Sequence, residues 1–228
     1  MNQPTLRDRA RTSVEPVARV FGRLGLSPNA LTLIGFCIAL VAAYFAATHM
    51  WLVAGLLVAF GAAFDLLDGA LARATGRSSR LGAFMDSVFD RAGEGAVYIG
   101  LIVGLAVPPD PGDFAQGTQL GPLVAAAAMA AAFMVSYTRA KSESLGFTPS
   151  NRMAEVGLAP REVRVVILVV GLILAGVIPT GDFPVGMAPA YPFWWQVLVG
   201  SLGLIAILAT ITTIQRIVYV YLQAKKEQ

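Results

Sequence analysis

The chain has 228 residues, of which 56% are hydrophobic and 14% charged, with a formal net charge of +3 at pH 7. A soluble domain carries about 45–50% apolar and about 25% charged residues, so the composition excludes an ordinary water-soluble globule and points to a protein of the bilayer. A single cysteine, Cys37, excludes an intrachain disulfide, and a single histidine, His49, excludes a histidine metal cluster.

Residues 1–29 carry charges and prolines and form a juxtamembrane segment. Within it, residues 5–23 alternate arginines with Leu6, Val14, Val17, Val20 and Phe21, the pattern of a basic amphipathic helix lying on the inner membrane surface. The apolar run that follows is too long and too late for a simple signal peptide. Six runs approach the roughly 20 residues that cross a bilayer as a helix: Ala30–Thr48, Trp51–Ala72, Ala83–Val107, Gln119–Arg139, Val163–Pro179 and Phe193–Tyr221. The expected fold is an all-α integral membrane protein of six transmembrane helices, residues 30–228, preceded by the interfacial helix. No internal repeat divides it into halves.

The connections set the orientation. Every lysine and arginine but one falls before span one, between spans two and three, around the link from span four to five, or from the end of span six onward; the exception, Arg91, lies just inside span three on the same side. The connections near residues 49–50, 108–118 and 180–192 have none. The positive-inside rule places the basic side, with both termini, in the cytoplasm. Tyr191, Phe193, Trp194 and Trp195 are then expected as an aromatic belt at the outer interface.

Spans two and three are impure, because Asp65, Asp68, Asp86 and Asp90 lie in them. Asp68 and Asp86 are each nine residues from the turn centred near Arg77, and Asp65 and Asp90 are 12 and 13 from it. At about 1.5 Å per residue the two pairs reach nearly equal depths. The separations within them, three and four, put each pair on one helix face. Gly69 and Gly82 leave room for close approach. Carboxylates in a membrane are costly and functional by default, and Arg73 and Arg91 cannot balance four of them. All-oxygen donors suit hard Mg²⁺, or Mn²⁺, over zinc, and two such ions would offset the four charges and attract a pyrophosphate.

The pattern Asp65-x2-Asp68-Gly69-x2-Ala72-Arg73-x8-Gly82-x3-Asp86-x3-Asp90 resembles the signature of the CDP-alcohol phosphotransferases, with all eight fixed positions matched over 26 residues. Members of that family join a CDP-linked lipid to an alcohol and release CMP with the help of divalent metal. The resemblance implies that Asp65, Asp68, Asp86 and Asp90 are metal ligands, with Asp90 also the catalytic base that takes the proton of the attacking hydroxyl. It implies that Gly69, Ala72, Arg73 and Ser79 face the CDP moiety. The segment SPNALT at the start of span one resembles the family's other nucleotide-facing element, with Asn29 and Thr32 as donors. A homodimer is implied too.

The pattern SYTRAKSE, then RxxR and QR, is similar to the branch of the family that makes phosphatidylinositol phosphate. Arg139 stands where that branch has a lysine, Lys141 where it has an arginine and Pro160 where it has a glutamate. The implied acceptor is inositol 1-phosphate, bound by Ser136, Arg139, Arg161, Arg164 and Arg216, since arginine forks suit phosphate. The implied donor is CDP-diacylglycerol or CDP-archaeol, giving a phosphatidyl or archaetidyl product. Glycerol 3-phosphate is the rival acceptor, as in phosphatidylglycerophosphate synthesis. A cation transporter is the rival of another class, although transporters hold such groups at the midplane between repeats. Nothing points to a nucleic-acid partner.

Overall fold

The computed structural model describes residues 27–74, 79–107, 119–147, 156–178 and 192–226; within them, the side chains at positions 66, 68–70 and 72–74 lie outside the description. The expected interfacial helix at residues 5–23, Tyr191 of the expected aromatic belt and the side chains of Asp68, Ala72 and Arg73 therefore fall outside it. Six helices occupy most of the described residues: α1 (Pro28–Ala47), α2 (Trp51–Ala74), α3 (Arg80–Ala106), α4 (Leu120–Ser144), α5 (Arg161–Val177) and α6 (Phe193–Ala224). Each coincides with one expected span, and α4 runs five residues past the expected end at Arg139.

The helix starts follow from local chemistry. Ser27 caps α1 by accepting from the Ala30 N–H, with Pro28 in the first turn where no N–H is needed. Ser79 caps α3 by accepting from the Gly82 N–H at 2.9 Å. Pro160 and Pro192 precede α5 and α6.

Packing closes the helices into a ring in the order α1, α2, α5, α6, α4, α3 and back to α1. Three of them, α1, α4 and α6, are long and apolar enough to cross a membrane by length and composition. α2 and α3 are as long but carry the charges. Large apolar side chains such as Leu33, Tyr44, Phe60, Leu123, Ile207 and Ile214 point outward, a surface that lipid solvates and water does not. The core is filled by Leu101, Leu172, Leu198, Leu202 and Ile205, none exposed.

At one end of the bundle, only residues 48–50 join α1 to α2. His49 takes φ 62° there, an uncommon backbone region for a non-glycine residue. Its ring Nε2 donates to the Gly104 carbonyl at 2.8 Å, which ties the turn to the end of α3. Trp51 stacks on Trp194 with centroids 5.5 Å apart. Trp194 and Trp195 are both buried, so they pack inward against α2 and α4 and do not form the lipid-facing belt expected from sequence. Of the described members of that group, Phe193 alone is exposed.

The α1–α3 contact is the closest in the bundle. A Cβ on Gly100 would lie 2.2 Å from the Ala43 carbonyl oxygen, and one on Gly104 would lie 2.4 Å from that of Ala46. Small residues at such spacing let helix backbones touch. Gly100→Ala is therefore expected to push α3 off α1 and lower stability by about 1–3 kcal/mol, the usual cost of overpacking. Gly200→Ala, with no described atom within 4 Å of its Cβ, should be near neutral. Thermal unfolding of the two detergent-solubilised variants checks both.

Candidate active site

α2 and α3 bring acidic side chains toward one cavity, and α5 delivers the cations. Asp65 lies in α2, and Asp86 and Asp90 lie four apart in α3. Arg161, the first residue of α5, spans the gap: Nη2 donates to Asp65 Oδ2 and Nη1 to Asp90 Oδ2, each at 2.6 Å. One guanidinium fork thus holds carboxylates of two helices, and these charge-assisted bonds are among the stronger kind. Both carboxylates are well shielded, with side-chain exposures of 22% for Asp65 and 13% for Asp90. The counter-charge that Arg73 and Arg91 could not supply in the sequence reading comes in large part from Arg161, which that reading assigned to the acceptor alone.

A second ion-pair cluster adjoins the first. Glu94, one turn beyond Asp90, accepts from Arg164 Nη2 with Oε1 and from Arg91 Nη1 with Oε2, both at 3.0 Å. Arg91 also lies 3.6 Å from Asp90 and donates to Ser136 Oγ on α4. Arg164 is 1% exposed and makes a further bond to the Ala159 carbonyl. Sequence reasoning missed Glu94. The available signal was its spacing, four residues from Asp90 and three from Arg91, which puts all three on neighbouring stripes of α3.

The cavity has about 70 Å³ open to water centres, and Thr32, Asp65, Asp90, Glu94, Arg161 and Arg164 form its polar wall. Apolar side chains such as Leu57, Val97 and Leu168 form the rest. That is room for an ion and a few waters. The carboxylates of Asp65 and Asp90 in that wall, with no thiolate or imidazole beside them, are donors of the kind that suits a hard divalent cation such as Mg²⁺ or Mn²⁺, and Asp86, one turn before Asp90, does not line the cavity. Among the described residues no three acidic, histidine or cysteine side chains form a ready-made ion site. Arg161 bridges two of the carboxylates, and the Asp68 side chain is outside the description.

The residues expected to face a nucleotide divide into two places. A Cβ on Gly82 would lie 3.1 Å from Ser79 Oγ and 3.2 Å from Asn29 Oδ1, so Asn29, Ser79 and Gly82 meet where α1 and α3 begin. Thr32, one turn into α1, lines the cavity and donates to the Pro28 carbonyl. Gly69, Ala72 and Arg73 lie in the last turns of α2.

The acceptor set separates more sharply. Arg161 and Arg164 line the cavity. Ser136 does not line it; its hydroxyl accepts from Arg91, which in turn pairs with Glu94 of the wall. Arg139 is exposed and pairs with Glu143 along its own helix at 2.9 Å, and it does not line the cavity. Arg216 is buried, but it donates to the carbonyls of Val156 and Val135. It thereby ties α6 to α4 and to the approach to α5, and it too lies outside the cavity wall. In this structure the guanidinium of Arg139 meets a helix-surface carboxylate and that of Arg216 meets two backbone carbonyls.

Comparison with known proteins accords with this arrangement. The family model described as CDP-alcohol phosphatidyltransferase matches residues 25–202. The archaetidylinositol phosphate synthase of Pyrococcus horikoshii is 35% identical over 163 residues, covering 72% of this chain and 78% of that protein. The phosphatidylinositol phosphate synthase of Cutibacterium acnes is 32% identical over 208 residues, 91% of each. Crystal structures of the Mycobacterium tuberculosis phosphatidylinositol phosphate synthase are similar in fold. The manganese–citrate complex has a TM-score of 0.74 at 26% identity, covering 91% of this chain and 88% of that one. The CDP-DAG complex has a TM-score of 0.73 at 27% identity, covering 91% and 93%.

Arg161→Gln removes the cation that Asp65 and Asp90 share and leaves their repulsion. A fully buried broken pair costs about 3–5 kcal/mol. With Arg161 30% exposed, solvent screening reduces the expected loss to about 1–3 kcal/mol. Thermal unfolding in EDTA should show the variant melting earlier than the unsubstituted protein, and added Mn²⁺ should raise its melting temperature more than it raises that of the parent.

Proposed function

The chain belongs to the CDP-alcohol phosphatidyltransferase family, and from that premise we propose that it transfers a phosphatidyl or archaetidyl group from a CDP-linked lipid to inositol 1-phosphate with release of CMP. The observation that carries this reading is the meeting of two arginines from α5 with the carboxylates of α2 and α3 in one cavity. Such a site has a base for a hydroxyl and a grip for a phosphate within a few ångströms of each other. The names of the relatives, phosphatidylinositol and archaetidylinositol phosphate synthases among them, support the same acceptor.

In this reading Asp65, Asp68, Asp86 and Asp90 hold Mg²⁺ or Mn²⁺, two ions in all. The bound ions withdraw charge from the pyrophosphate and stabilise the leaving CMP. Asn29, Thr32, Gly69, Ala72, Arg73 and Ser79 receive the cytidine diphosphate part of the donor. The free N–H groups at the start of α1 favour an anion there. Arg161 and Arg164 orient the phosphate of the acceptor, and Asp90 accepts the proton of its hydroxyl as that oxygen attacks the β-phosphorus. The bond from that phosphorus to the CMP oxygen breaks, and the charge leaves with CMP. The apolar wall keeps bulk water from competing with the alcohol.

All six helices cross the bilayer in the proposed arrangement, with both termini and the site on the cytoplasmic face. The basic connections support that orientation. The active unit is proposed to be a homodimer. The transporter alternative has no observation in its favour once the family is established.

Purified protein supplied with Mg²⁺, CDP-diacylglycerol or CDP-archaeol, and labelled inositol 1-phosphate should release CMP and form a labelled phospholipid. Faster release with glycerol 3-phosphate would overturn the acceptor assignment. Asp90→Asn should lower kcat by about 10²–10⁴-fold, the typical contribution of a positioned base, and EDTA should abolish turnover. A cysteine placed in residues 108–118 should react with a membrane-impermeant reagent from outside the cell, and one placed after Lys226 should not.

A further inference from the structure

Arg164 is the most secluded charge among the described residues, at 1% exposure. Its one anionic partner there is Glu94, itself only 9% exposed. A buried guanidinium without such a partner is strongly destabilising, so Glu94 is what permits Arg164 to stand in the cavity wall. It also fixes the plane of the group. Nη2 is held by Glu94 at 3.0 Å and Nη1 by the Ala159 carbonyl at 3.2 Å, which leaves no freedom to rotate about the Cδ–Nε bond.

The remaining donor of that rigid group is unused. Arg164 Nε is buried and has no hydrogen-bond partner among the described residues, and the same holds for Arg161 Nε one turn earlier on α5. Both residues line the cavity. A buried donor with no partner is costly, and two such donors from one helix end suit an anionic oxygen between them. The second oxygen of Glu94 goes to Arg91, which reaches Ser136 on α4. Glu94 therefore joins α3 to α5 directly and to α4 through Arg91.

We propose that Glu94 is a positioning residue for the acceptor: by locking the guanidinium of Arg164, it sets the anion-binding edge of the cavity without itself touching substrate. Its negative charge has a second effect. With Arg91 and Arg164 it forms a unit of net charge +1 in place of +2, which still attracts a phosphate monoester. The inference rests on the phosphatidyl or archaetidyl transfer proposed above, because it concerns which of the two substrates each side of the site receives.

The test is the Michaelis constant of each substrate in the CMP-release assay with full-length protein, for Glu94→Gln and Glu94→Asp. Glu94→Gln should raise the acceptor KM about 10- to 100-fold, the value of a lost hydrogen bond to a charged group, and leave the donor KM as it was. Glu94→Asp keeps the charge but not the reach, and should give an acceptor KM between the two. If Glu94→Gln does not fold, the same split in Glu94→Asp decides. A folded variant with an unaltered acceptor KM, or one whose two KM values rise together as its melting temperature falls, would overturn the proposal and leave a structural salt bridge. If the unsubstituted protein prefers glycerol 3-phosphate, the inositol reading falls, and the same split measured on that acceptor decides the role of Glu94. CMP release with neither acceptor sinks both.

Discussion

Charge compensation in an apolar bundle is the constraint on which the other features depend. Carboxylates withdrawn from water must meet cations at bonding distance, or they cost several kcal/mol each. Here Asp65, Asp90 and Glu94 are matched by Arg161, Arg91 and Arg164, three against three. The pairing determines where α5 can go. Its first turn must lie across the acidic faces of α2 and α3, because Arg161 and Arg164 start that turn. The helix has 17 residues and is about 25 Å long, somewhat short of the roughly 30 Å hydrocarbon core of a bilayer.

The balance is also what makes the site receptive. Asp86 has no ion-pair partner among the described residues, and Asp68 is three residues from Asp65 on α2. Once three arginines have cancelled three carboxylates, Asp86 is left with negative charge, which would suit a divalent cation. A cation held there would turn the sign of the pocket positive and favour a polyanion as its guest. The tight α1–α3 contact serves the same end. Because Gly100 and Gly104 let those backbones meet, the start of α1 is held against the start of α3, and Asn29 is brought to Ser79 and Gly82 beside the acidic hairpin.

Much of this was legible in the sequence. The six helices were, because runs near 20 apolar residues leave few alternatives in lipid, and the helix ends differ from expectation by a few residues. The acidic hairpin was legible because its spacings are short-range: three, four and a symmetrical turn. Arg161 as the bridge was not, since it meets Asp65 across 96 positions of the chain, and no local period encodes such a contact. The same reason explains Arg216. An arginine at the end of an apolar helix reads as a phosphate ligand or an interface charge, and nothing local announces that it also donates to the carbonyls of Val135 on α4 and Val156 on the approach to α5. Trp194 and Trp195 followed a rule for aromatic belts that holds only when the ring faces lipid. Packing against Trp51 and His49 turned Trp194 inward.

The division of labour among helices has a further consequence for how such a site can change its substrate. α2 and α3 supply carboxylates whose spacing is fixed by helix geometry, and whatever they hold they must hold together; a change in either helix disturbs charge, ions and donor at once. α5 contributes through two side chains at its first turn, Arg161 anchored by Asp65 and Asp90 and Arg164 by Glu94. Altering Arg164 or its anchor changes the edge of the cavity that faces an incoming alcohol phosphate, while the α2–α3 hairpin keeps its spacing. Differences in acceptor should therefore be written at the start of α5 and in the residues of α3 and α4 that brace it. The chemistry of phosphoryl displacement stays with the hairpin.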